Sequence, residues 1–451
     1  MFSIYKTILK YVIYLYIISK FIYPALFRYL NFPQLPVLMF EILLFVLFMF
    51  SILISAAKDK PRTSFNFFTF YKYLFVVIFF LILISSFINH NSVVLVVKSI
   101  LGYYFPYIIL FLLIVEADFS EKEQLNLLKF LLAIILFQIP FTAYQYIFLH
   151  YASADSNNGT VSYGIEGGTG IIAVLESFLI SFAIAQILFK KINFKYITLA
   201  ILTFIPPIVG GARFGFISLP LAIIITVASF SFLYKKVPIK KYINLLGIVS
   251  LFFILMIFII VVVIPQTKYA DYLNLNILTN QSEALQYDKG AGKYSRFQYY
   301  GMLLTDYFTN EADYAIGLGP GSITQSQSAD TQTGLSFIIG RPDSLMVMAS
   351  LGFIGLFLFL GVFLIALFFV KRYVEYEQNI TFQIFACTLI PISSIVIISM
   401  FYCPTWGSQI GLFYWIILGL LVSRYKLYFT IKENFNYTVL KNKINLPIYN
   451  S

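Results

Sequence analysis

Apolar runs long enough to cross a lipid bilayer recur along almost the whole chain, and they constrain its fold more than any other feature. A membrane-spanning helix needs about 20 mostly apolar residues. Twelve segments of the sequence meet this need. They are residues 4–29, 36–57, 67–88, 93–116, 125–149, 168–189, 196–211, 214–234, 242–264, 344–370, 380–402 and 409–423. We therefore expect an all-α polytopic integral membrane protein with about 12 transmembrane helices. Only 11% of the 451 residues are charged, against about 25% in a soluble domain.

Lysine and arginine are concentrated in short clusters between these segments. With a cytoplasmic N-terminus, alternation places five such clusters in the cytoplasm, at 58–62, 190–195, 234–241, 371–379 and 423–426. The loops on the other side that contain no Lys or Arg are 30–35, 89–92, 150–167 and 403–408. This asymmetry follows the positive-inside rule and predicts that both termini are cytoplasmic. It also accounts for the net charge of +11 without a nucleic-acid partner. The acidic loop 117–124 is the exception.

One long polar connection divides the chain into three parts. We expect transmembrane helices 1–9 in residues 1–264, an extracytoplasmic loop in 265–343, and helices 10–12 with a cytoplasmic tail in 344–451. Within the loop, YSRFQYYGMLLTDYF (294–308) mixes aromatic and polar positions. This mixture predicts an amphipathic helix on the membrane surface.

A lone arginine, Arg213, lies in IVGGARFGFISLP (208–220), in the hairpin between the seventh and eighth apolar segments. Alternation puts this hairpin at the outer face, where the positive-inside rule gives a basic residue no reason to be. Two interpretations are open. The side chain snorkels to the lipid headgroups, or it binds an anionic ligand.

The long loop contains two further arginines, Arg296 in YSRFQYY and Arg341 in GRPDS. A guanidinium group pairs bidentately with phosphate oxygens and keeps its charge at any pH. Three arginines on the outer side therefore favour an anionic ligand met on the outer side of the membrane, such as a lipid phosphate or pyrophosphate. Ordinary headgroup binding is the alternative.

A glycine-rich turn, AIGLGPGS (315–322), places Gly317, Gly319 and Gly321 at alternate positions. Glycine permits positive φ and close backbone approach. The turn is either an anion-binding nest or a purely structural turn, and no GK[ST] follows it as in a P-loop.

Carboxylates near the outer face are candidates for a general base. Asp343 opens the tenth apolar segment directly after Arg341 and Pro342. It is either a helix cap or a base beside Arg341. Three rivals lie on the same side, namely Glu166 in GIEGG, Asp306 and Asp313, and Glu176 is the clearest acid within an apolar segment.

We expect no metal and no cofactor. Asp, Glu and His show no clustered spacing of the kind that binds metal ions, and the arginines can neutralise a phosphate without a divalent cation. The cysteines Cys387 and Cys403 are 16 residues apart on one predicted helix, roughly 24 Å along its axis. That separation is too large for a disulfide.

Four motifs follow one another in a characteristic order. GGARFGF joins two mid-chain spans, YSRFQYYGMLL lies in a long extracytoplasmic loop, GLGPGS forms a turn, and LGFIG lies in the next span. Together they resemble the O-antigen polymerase (Wzy-type) and O-antigen ligase superfamily of bacterial inner-membrane proteins. The likeness of topology extends over the whole chain, whereas the motifs cover only about residues 208–360.

The resemblance implies a glycosyltransferase C-like fold that uses undecaprenyl-pyrophosphate-linked oligosaccharides at the outer face of the bacterial inner membrane. Carried onto this chain, Arg213 and Arg296 correspond to the arginines that hold the lipid pyrophosphate. The ligases place a His-Asn pair just before the last motif, where this chain has Arg341 and Pro342. The missing histidine favours a polymerase over a ligase.

We therefore expect a metal-independent polymerase that joins lipid-linked repeat units into a surface polysaccharide, which is an O-antigen, a capsule or an exopolysaccharide. Asp343 and Arg341 are the expected catalytic residues. Expected partners are membrane lipid and flippase and chain-length regulator proteins. Two alternatives stay open: a ligase that transfers the finished polymer to another acceptor, and a transporter or flippase of lipid-linked sugars.

Overall fold

In its described part, the computed structural model of the chain consists of helices joined by short turns. The residues it describes are 2–30, 35–56, 67–149, 158–161, 168–190, 193–210, 212–233, 300–320, 342–401, 403 and 405–444, with isolated positions between 247 and 258. Most of the predicted ninth segment, 242–264, lies outside these residues.

Fourteen α-helices and two π-helical turns make up this part of the chain. The first ten helices are α1 (Phe2–Leu30), α2 (Leu35–Ala56), α3 (Phe67–Ile88), α4 (Val93–Ser99), α5 (Pro106–Glu116), α6 (Glu121–Phe148), α7 (Thr169–Phe189), α8 (Phe194–Leu202), α9 (Ile205–Val209) and α10 (Arg213–Leu233). The last four are α11 (Glu311–Ile316), α12 (Asp343–Tyr376), α13 (Ile380–Ser399) and α14 (Gln409–Ile444). The π-helical turns are Ile100–Tyr104, between α4 and α5, and Leu303–Tyr307.

Seven of the described helices are long and apolar enough to cross a membrane. An eighth span is formed if Val93–Tyr104 and Pro106–Glu116, which are bent by 55° relative to each other, are counted as one. Such apolar helices need lipid as their solvent. The protein is therefore a membrane-embedded, polytopic helical protein.

The helices form a bundle with two chemically different ends. At one end, here called the ion-pair end, Arg424 of α14 pairs with Glu377 at 2.5 Å and with Glu121 at 3.0 Å. The other end is here called the glycine end, because the glycine-rich turn lies there. At this end Arg28 of α1 donates to Asn158 at 2.6 Å. Both α1 and α14 run from one end to the other, since Gln409 at the start of α14 donates to Val161.

The acidic loop 117–124 lies at the ion-pair end. Its Asp118 pairs with Lys6, and its Glu123 accepts from Lys10 at 2.7 Å. The acids of this loop are therefore neutralised by basic residues from the same end of the bundle. This pairing explains why an acidic loop occurs on the side that the basic clusters assign to the cytoplasm.

An aromatic cluster joins α3, α5 and α14 in the centre of the bundle. The ring of Phe111 lies 5.4 Å from that of Tyr71 and 5.4 Å from that of Trp415, measured between centroids. Trp406 and Trp415 are also 5.4 Å apart and almost perpendicular. Phe75 completes the cluster, and all five of these rings are buried. Aromatic packing of this kind fixes the position of α14 relative to the rest.

The expectation that both cysteines lie on one helix is wrong. α13 begins at Ile380 and ends at Ser399, so it contains Cys387 but stops before Cys403. Both cysteines are buried.

Candidate functional site

The carboxylate of Asp343 is the centre of a hydrogen-bond network at the glycine end. Its side chain is fully buried. Tyr103 donates to one oxygen at 2.5 Å, and the hydroxyl of Thr405 donates to the other at 2.6 Å. The backbone N–H groups of Thr405 and Trp406 also donate to that second oxygen. Four donors from two other segments therefore surround this one carboxylate.

Asp343 caps a turn that belongs to a different part of the chain. Its own helix, α12, has Pro342 at the N-cap position and no side-chain cap. The turn 405–408 precedes α14 and presents backbone N–H groups that have no partner within a helix. A carboxylate is well suited to such donors because of its charge. Asp343 therefore does act as a cap, but it caps the turn before α14 and not its own helix.

The π-helical turn between α4 and α5 places Tyr103 at the site. Its neighbour Tyr104 is hydrogen-bonded to the hydroxyl of Ser350 in α12. The indole N–H of Trp406 donates to the carbonyl of Tyr104 at 3.2 Å. The two tyrosines therefore connect the break between α4 and α5 to α12 and to the turn before α14. π-Helical turns are frequent at functional sites.

The start of α12 also contacts the loop that contains Arg296. Ser344 donates to the carbonyl of Met400 at 2.8 Å, just beyond α13. The hydroxyl groups of Ser344 and Tyr300 are hydrogen-bonded to each other. Tyr300 is four residues after Arg296, so this bond brings the chain that follows Arg296 to the first turn of α12.

The glycine-rich turn is attached to a break in α12. Gly352 has φ 64° and ψ −163°, which interrupts the helix. The carbonyls of Ala349 and Ser350, which precede the break, accept from the backbone N–H groups of Leu318 at 2.8 Å and Gly319 at 3.1 Å. Gly317 donates to Asp313 at 2.9 Å. Three consecutive N–H groups of the turn are thus engaged within the protein, which favours the structural turn over an anion-binding nest.

Both sides of this contact require glycine. A Cβ atom on Gly317 would lie 2.5 Å from the backbone of Leu351, and one on Gly352 would lie 2.4 Å from the backbone of Ala315. Both residues also have positive φ, 71° and 64°. The GLGPGS and LGFIG motifs are therefore two halves of one backbone-to-backbone contact.

Arg213 is the first residue of α10 and lies at the glycine end. The backbone around it is fixed by Gly215, whose N–H donates to Ala212 at 2.8 Å. A Cβ on Gly215 would lie 2.5 Å from Pro207 of α9 and 3.3 Å from Ala173 of α7. Gly215 thus lets α10 pack closely on α9 and α7.

The described residues include only part of the predicted site. Asp343, Gly317 and Gly319 belong to one network, and the backbone of Arg213 lies at the same end. Arg296, Arg341, Glu166 and Gly321 lie outside the described residues. Their predicted roles, and those of Asp343 and Arg213, stay predictions.

Neither Tyr103 nor Thr405 is singled out by its sequence context. The only available signal for Tyr103 is GYYFP (102–106), where polar aromatic residues and a proline interrupt an apolar segment. Proline removes a helical hydrogen bond and favours a break. For Thr405, CPTWGS (403–408) is a short polar loop like many others.

A second acid, Glu176, lies within the span α7. Its side chain is fully buried, and neither carboxyl oxygen has a hydrogen-bond partner among the described residues. An ionisable group inside a membrane bundle is a functional candidate by default. Among the described residues, no three side chains of His, Cys, Asp or Glu come together as a set of metal ligands.

Comparison with known proteins gives no further assignment. The chain matches no protein-family model, and no curated protein is significantly similar to it in sequence.

Proposed function

We propose that the protein is a membrane glycosyltransferase that joins undecaprenyl-pyrophosphate-linked oligosaccharide repeat units into a surface polysaccharide. The reaction would take place at the glycine end, on the outer face of a bacterial inner membrane. The observation that carries the proposal is the meeting of three motif regions at this end. The start of α12, the segment after Arg296 and the glycine turn are joined by hydrogen bonds to Ser344 and Ser350.

The position of Arg213 supports the same proposal. α10, which starts at Arg213, packs against α7 and α13. The end of α13 is in turn bonded to α12, since Ser344 binds the carbonyl of Met400. The helix that carries Arg213 and the helix that carries Asp343 therefore share α13 as a neighbour, which is compatible with one outer site for a diphosphate.

The proposed span count is twelve, with a glycosyltransferase C-like arrangement. Besides the seven or eight spans identified by length and composition among the described residues, α14 also runs from end to end, from Gln409 at the glycine end to Arg424 at the ion-pair end. The shorter apolar helices Met39–Leu53 and Phe194–Val209 supply two more candidates.

In the proposed reaction, a hydroxyl oxygen of one lipid-linked repeat attacks the anomeric carbon of the growing chain. The bond between that carbon and the pyrophosphate oxygen breaks, and its electron pair leaves with undecaprenyl pyrophosphate. Arg213 and Arg296 would neutralise the negative charge that develops on the leaving group. Holding the hydroxyl and the anomeric carbon together in one site would supply most of the remaining rate enhancement.

The hydroxyl proton needs an acceptor, and both oxygens of Asp343 are already hydrogen-bonded. We propose that the proton reaches Asp343 through Tyr103. The tyrosine oxygen would take the proton from the sugar hydroxyl while its own proton passes to the carboxylate, 2.5 Å away. Arg341, two residues before Asp343, would hold the donor sugar or its phosphate. Glu166 is the next candidate for the base.

Product length tests the proposal. Purified protein in liposomes receives one lipid-linked repeat unit and no ATP, and the products are separated by size. A ladder of longer chains is expected. Transfer of a chain only to an unrelated acceptor would identify a ligase, and movement of labelled lipid across the bilayer without a ladder would identify a transporter.

A transporter is the second candidate, and Glu176 is the observation that favours it. Buried carboxyl groups inside membrane bundles serve as proton relays in pumps and transporters. If transport is the function, Glu176→Gln should abolish proton-coupled movement of the lipid-linked sugar. If polymerisation is the function, the same variant should still make the ladder.

A further inference from the structure

A large apolar groove lies between α2, α3 and the bent pair α4 and α5. Its volume is about 1210 Å³. The lining is almost entirely aliphatic and aromatic, and includes Phe45, Phe75, Val96, Ile100, Phe105 and Ile108. None of these residues takes part in the hydrogen-bond network around Asp343.

The groove exists because the two helices on its sides pack on different partners. α2 packs on α5, and α3 packs on α12, whereas α2 and α3 are not closely packed on each other. Large apolar side chains at its margins are exposed, such as Phe87 at 82% and Val93 at 76%. In a membrane these margins face lipid, so the groove opens sideways into the bilayer.

We propose that this groove holds the polyprenyl chain of the lipid-linked substrate. The inference rests on the proposed function for the identity of the lipid. It assigns a place to the hydrocarbon part of the substrate, which the arginine and carboxylate chemistry leaves open.

The size of the groove fits one long flexible chain. It exceeds the roughly 300–1000 Å³ of a pocket for a drug-sized ligand. A groove of this volume has room for one long flexible hydrocarbon chain.

One polyprenyl chain can run along the whole groove, whereas ordinary phospholipids would have to enter it from both leaflets. Its lining on α3 runs from Phe68 to Phe87, which is roughly 28 Å of helix. The hydrocarbon core of a bilayer is about 30 Å thick. A phospholipid acyl chain reaches through about half of that thickness, so one such chain would leave about half of the groove empty.

The groove also leads to the candidate site. Ile100 and Phe105 line it and flank Tyr103, the donor to Asp343. Asn91 lines it at the glycine end, and its buried Oδ1 has no hydrogen-bond partner among the described residues. Its Nδ2 donates to the carbonyls of Asn89 and Leu318, so Oδ1 is left to accept from a sugar hydroxyl.

The opposite end of the groove offers no site for a diphosphate. Lys72 and Glu116 line it there, with Nζ and Oε1 4.0 Å apart. The glutamate offsets the charge of the lysine. The head of the lipid would therefore lie at the glycine end and its tail toward the ion-pair end.

Two pairs of valine-to-tryptophan variants test this assignment. Val76 lines the groove and is 49% exposed, whereas its neighbour Val77 does not line it and is 50% exposed. Likewise Val97 lines the groove and Val94 does not. Each pair adds the same bulk to one helix at an exposed position, so differences in folding should cancel.

Binding is measured on the full chain in detergent by native mass spectrometry, with undecaprenyl diphosphate and geranyl diphosphate as probes and phosphatidylglycerol as competitor. Val76→Trp and Val97→Trp should weaken undecaprenyl diphosphate binding about tenfold, which equals about 1.4 kcal/mol. Binding of geranyl diphosphate should change little. Val77→Trp and Val94→Trp should bind both probes like the wild type.

The inference is overturned if the four variants bind undecaprenyl diphosphate equally well, or if the groove variants lose only phosphatidylglycerol. Chain growth is measured in parallel. If the groove variants lose undecaprenyl diphosphate binding as expected but the wild type makes no ladder, the groove assignment is supported and the polymerase is contradicted. A wild-type ladder with unchanged binding in the groove variants would support the polymerase and contradict the groove.

Discussion

Asp343 is the residue on which the glycine end of the bundle most depends. It joins α12 to the π-helical turn that carries Tyr103 and to the turn before α14. Charged groups buried with a full set of donors hold their surroundings in one arrangement, and they leave several donors unpaired when they are removed. The same carboxylate that we propose as a proton acceptor is thus also a structural centre.

Asp343→Asn should therefore lower stability as well as activity. The side-chain amide of the asparagine has only one acceptor oxygen. Its NH2 group would face hydrogen-bond donors that the carboxylate oxygen accepts from in the wild type. We expect a loss of at least about 3 kcal/mol, since each hydrogen bond to a charged group contributes about 1.5–3 kcal/mol. Thermal unfolding in detergent measures the effect. Thr405→Val removes one of the four donors and should cost less; an Asp343→Asn protein as stable as the wild type would refute the structural role.

Glu377 predicts a pH dependence at the ion-pair end. Burial alone would raise the pKa of Glu377, but hydrogen bonds from Arg424, the Asn379 N–H and Tyr373 outweigh it and hold the pKa below its usual value. The stabilisation is therefore present above the unfolded pKa of about 4.3 and is lost as pH falls through the lower folded pKa.

The comparison of wild type with Glu377→Gln isolates this effect. The variant should unfold at a lower temperature at pH 7, where the wild type has the ion pair with Arg424 at 2.5 Å. The difference should begin to shrink as the pH falls below about 4.3, where the carboxyl group of the unfolded chain takes up its proton. It should disappear once the pH falls through the lower pKa of the folded protein. A difference that stays constant between pH 7 and pH 3.5 would contradict the assignment.

At the scale of single elements, the break in α12 shapes the candidate site. The helix is interrupted at Gly352, which frees the carbonyls of Ala349 and Ser350 for the glycine turn. Freed backbone groups inside a membrane protein must find other partners. The turn supplies them, and this pairing attaches the long loop to a span.

Gly352→Ala tests this contact. A methyl group would lie 2.4 Å from the backbone of Ala315, at a residue with φ 64°. We expect a marked fall in unfolding temperature. Gly361→Ala, in the same helix with no heavy atom within 4 Å of the added Cβ, should be neutral or stabilising by about 0.5–1 kcal/mol. Equal effects of the two substitutions would contradict the proposed backbone contact.

The sequence predicts the elements far better than it predicts their contacts. Apolar length places α3, α6, α7 and α13 within a few residues, because lipid imposes one requirement on every spanning helix. The break at Gly352 is not predictable, since a glycine in an apolar run is equally compatible with a straight helix. The pairing of Lys20 with Glu41 at 2.6 Å is likewise not visible in the sequence.

The candidate site is predicted only in part, for a similar reason. The glycine spacing indicates a special turn, but it does not reveal that the backbone N–H groups of Leu318 and Gly319 are used within the protein. Asp343 is recognisable as a polar residue at the start of a span. Its partners Tyr103 and Thr405 are distant in sequence, and nothing local identifies them.

At the scale of the whole molecule, the proposed orientation in the membrane rests on the different charged groups at the two ends. The clusters that contain Lys6, Lys10 and Arg424 meet at one end, and the glycine turn and Asp343 lie at the other. From the positive-inside rule we propose that the ion-pair end faces the cytoplasm. This assignment is what puts the proposed site on the outer face.

Cysteine labelling tests the orientation. In a background without Cys387 and Cys403, Ser92→Cys reports on the glycine end and Lys122→Cys on the ion-pair end, and both positions are exposed. A membrane-impermeant maleimide should label Ser92→Cys in intact spheroplasts and Lys122→Cys only after permeabilisation. The reverse pattern, or labelling of both from outside, would be incompatible with the assignment.

The most direct test of the account measures product length with arginine variants in liposomes. The wild type should convert a single lipid-linked repeat into a ladder of longer chains, whereas Arg213→Ala and Arg296→Ala should insert normally and make none. Arg28→Ala is the control, because Arg28 lies at the same end but donates to Asn158. The Arg28→Ala protein should still make the ladder. Normal ladders from both Arg213→Ala and Arg296→Ala would contradict the account.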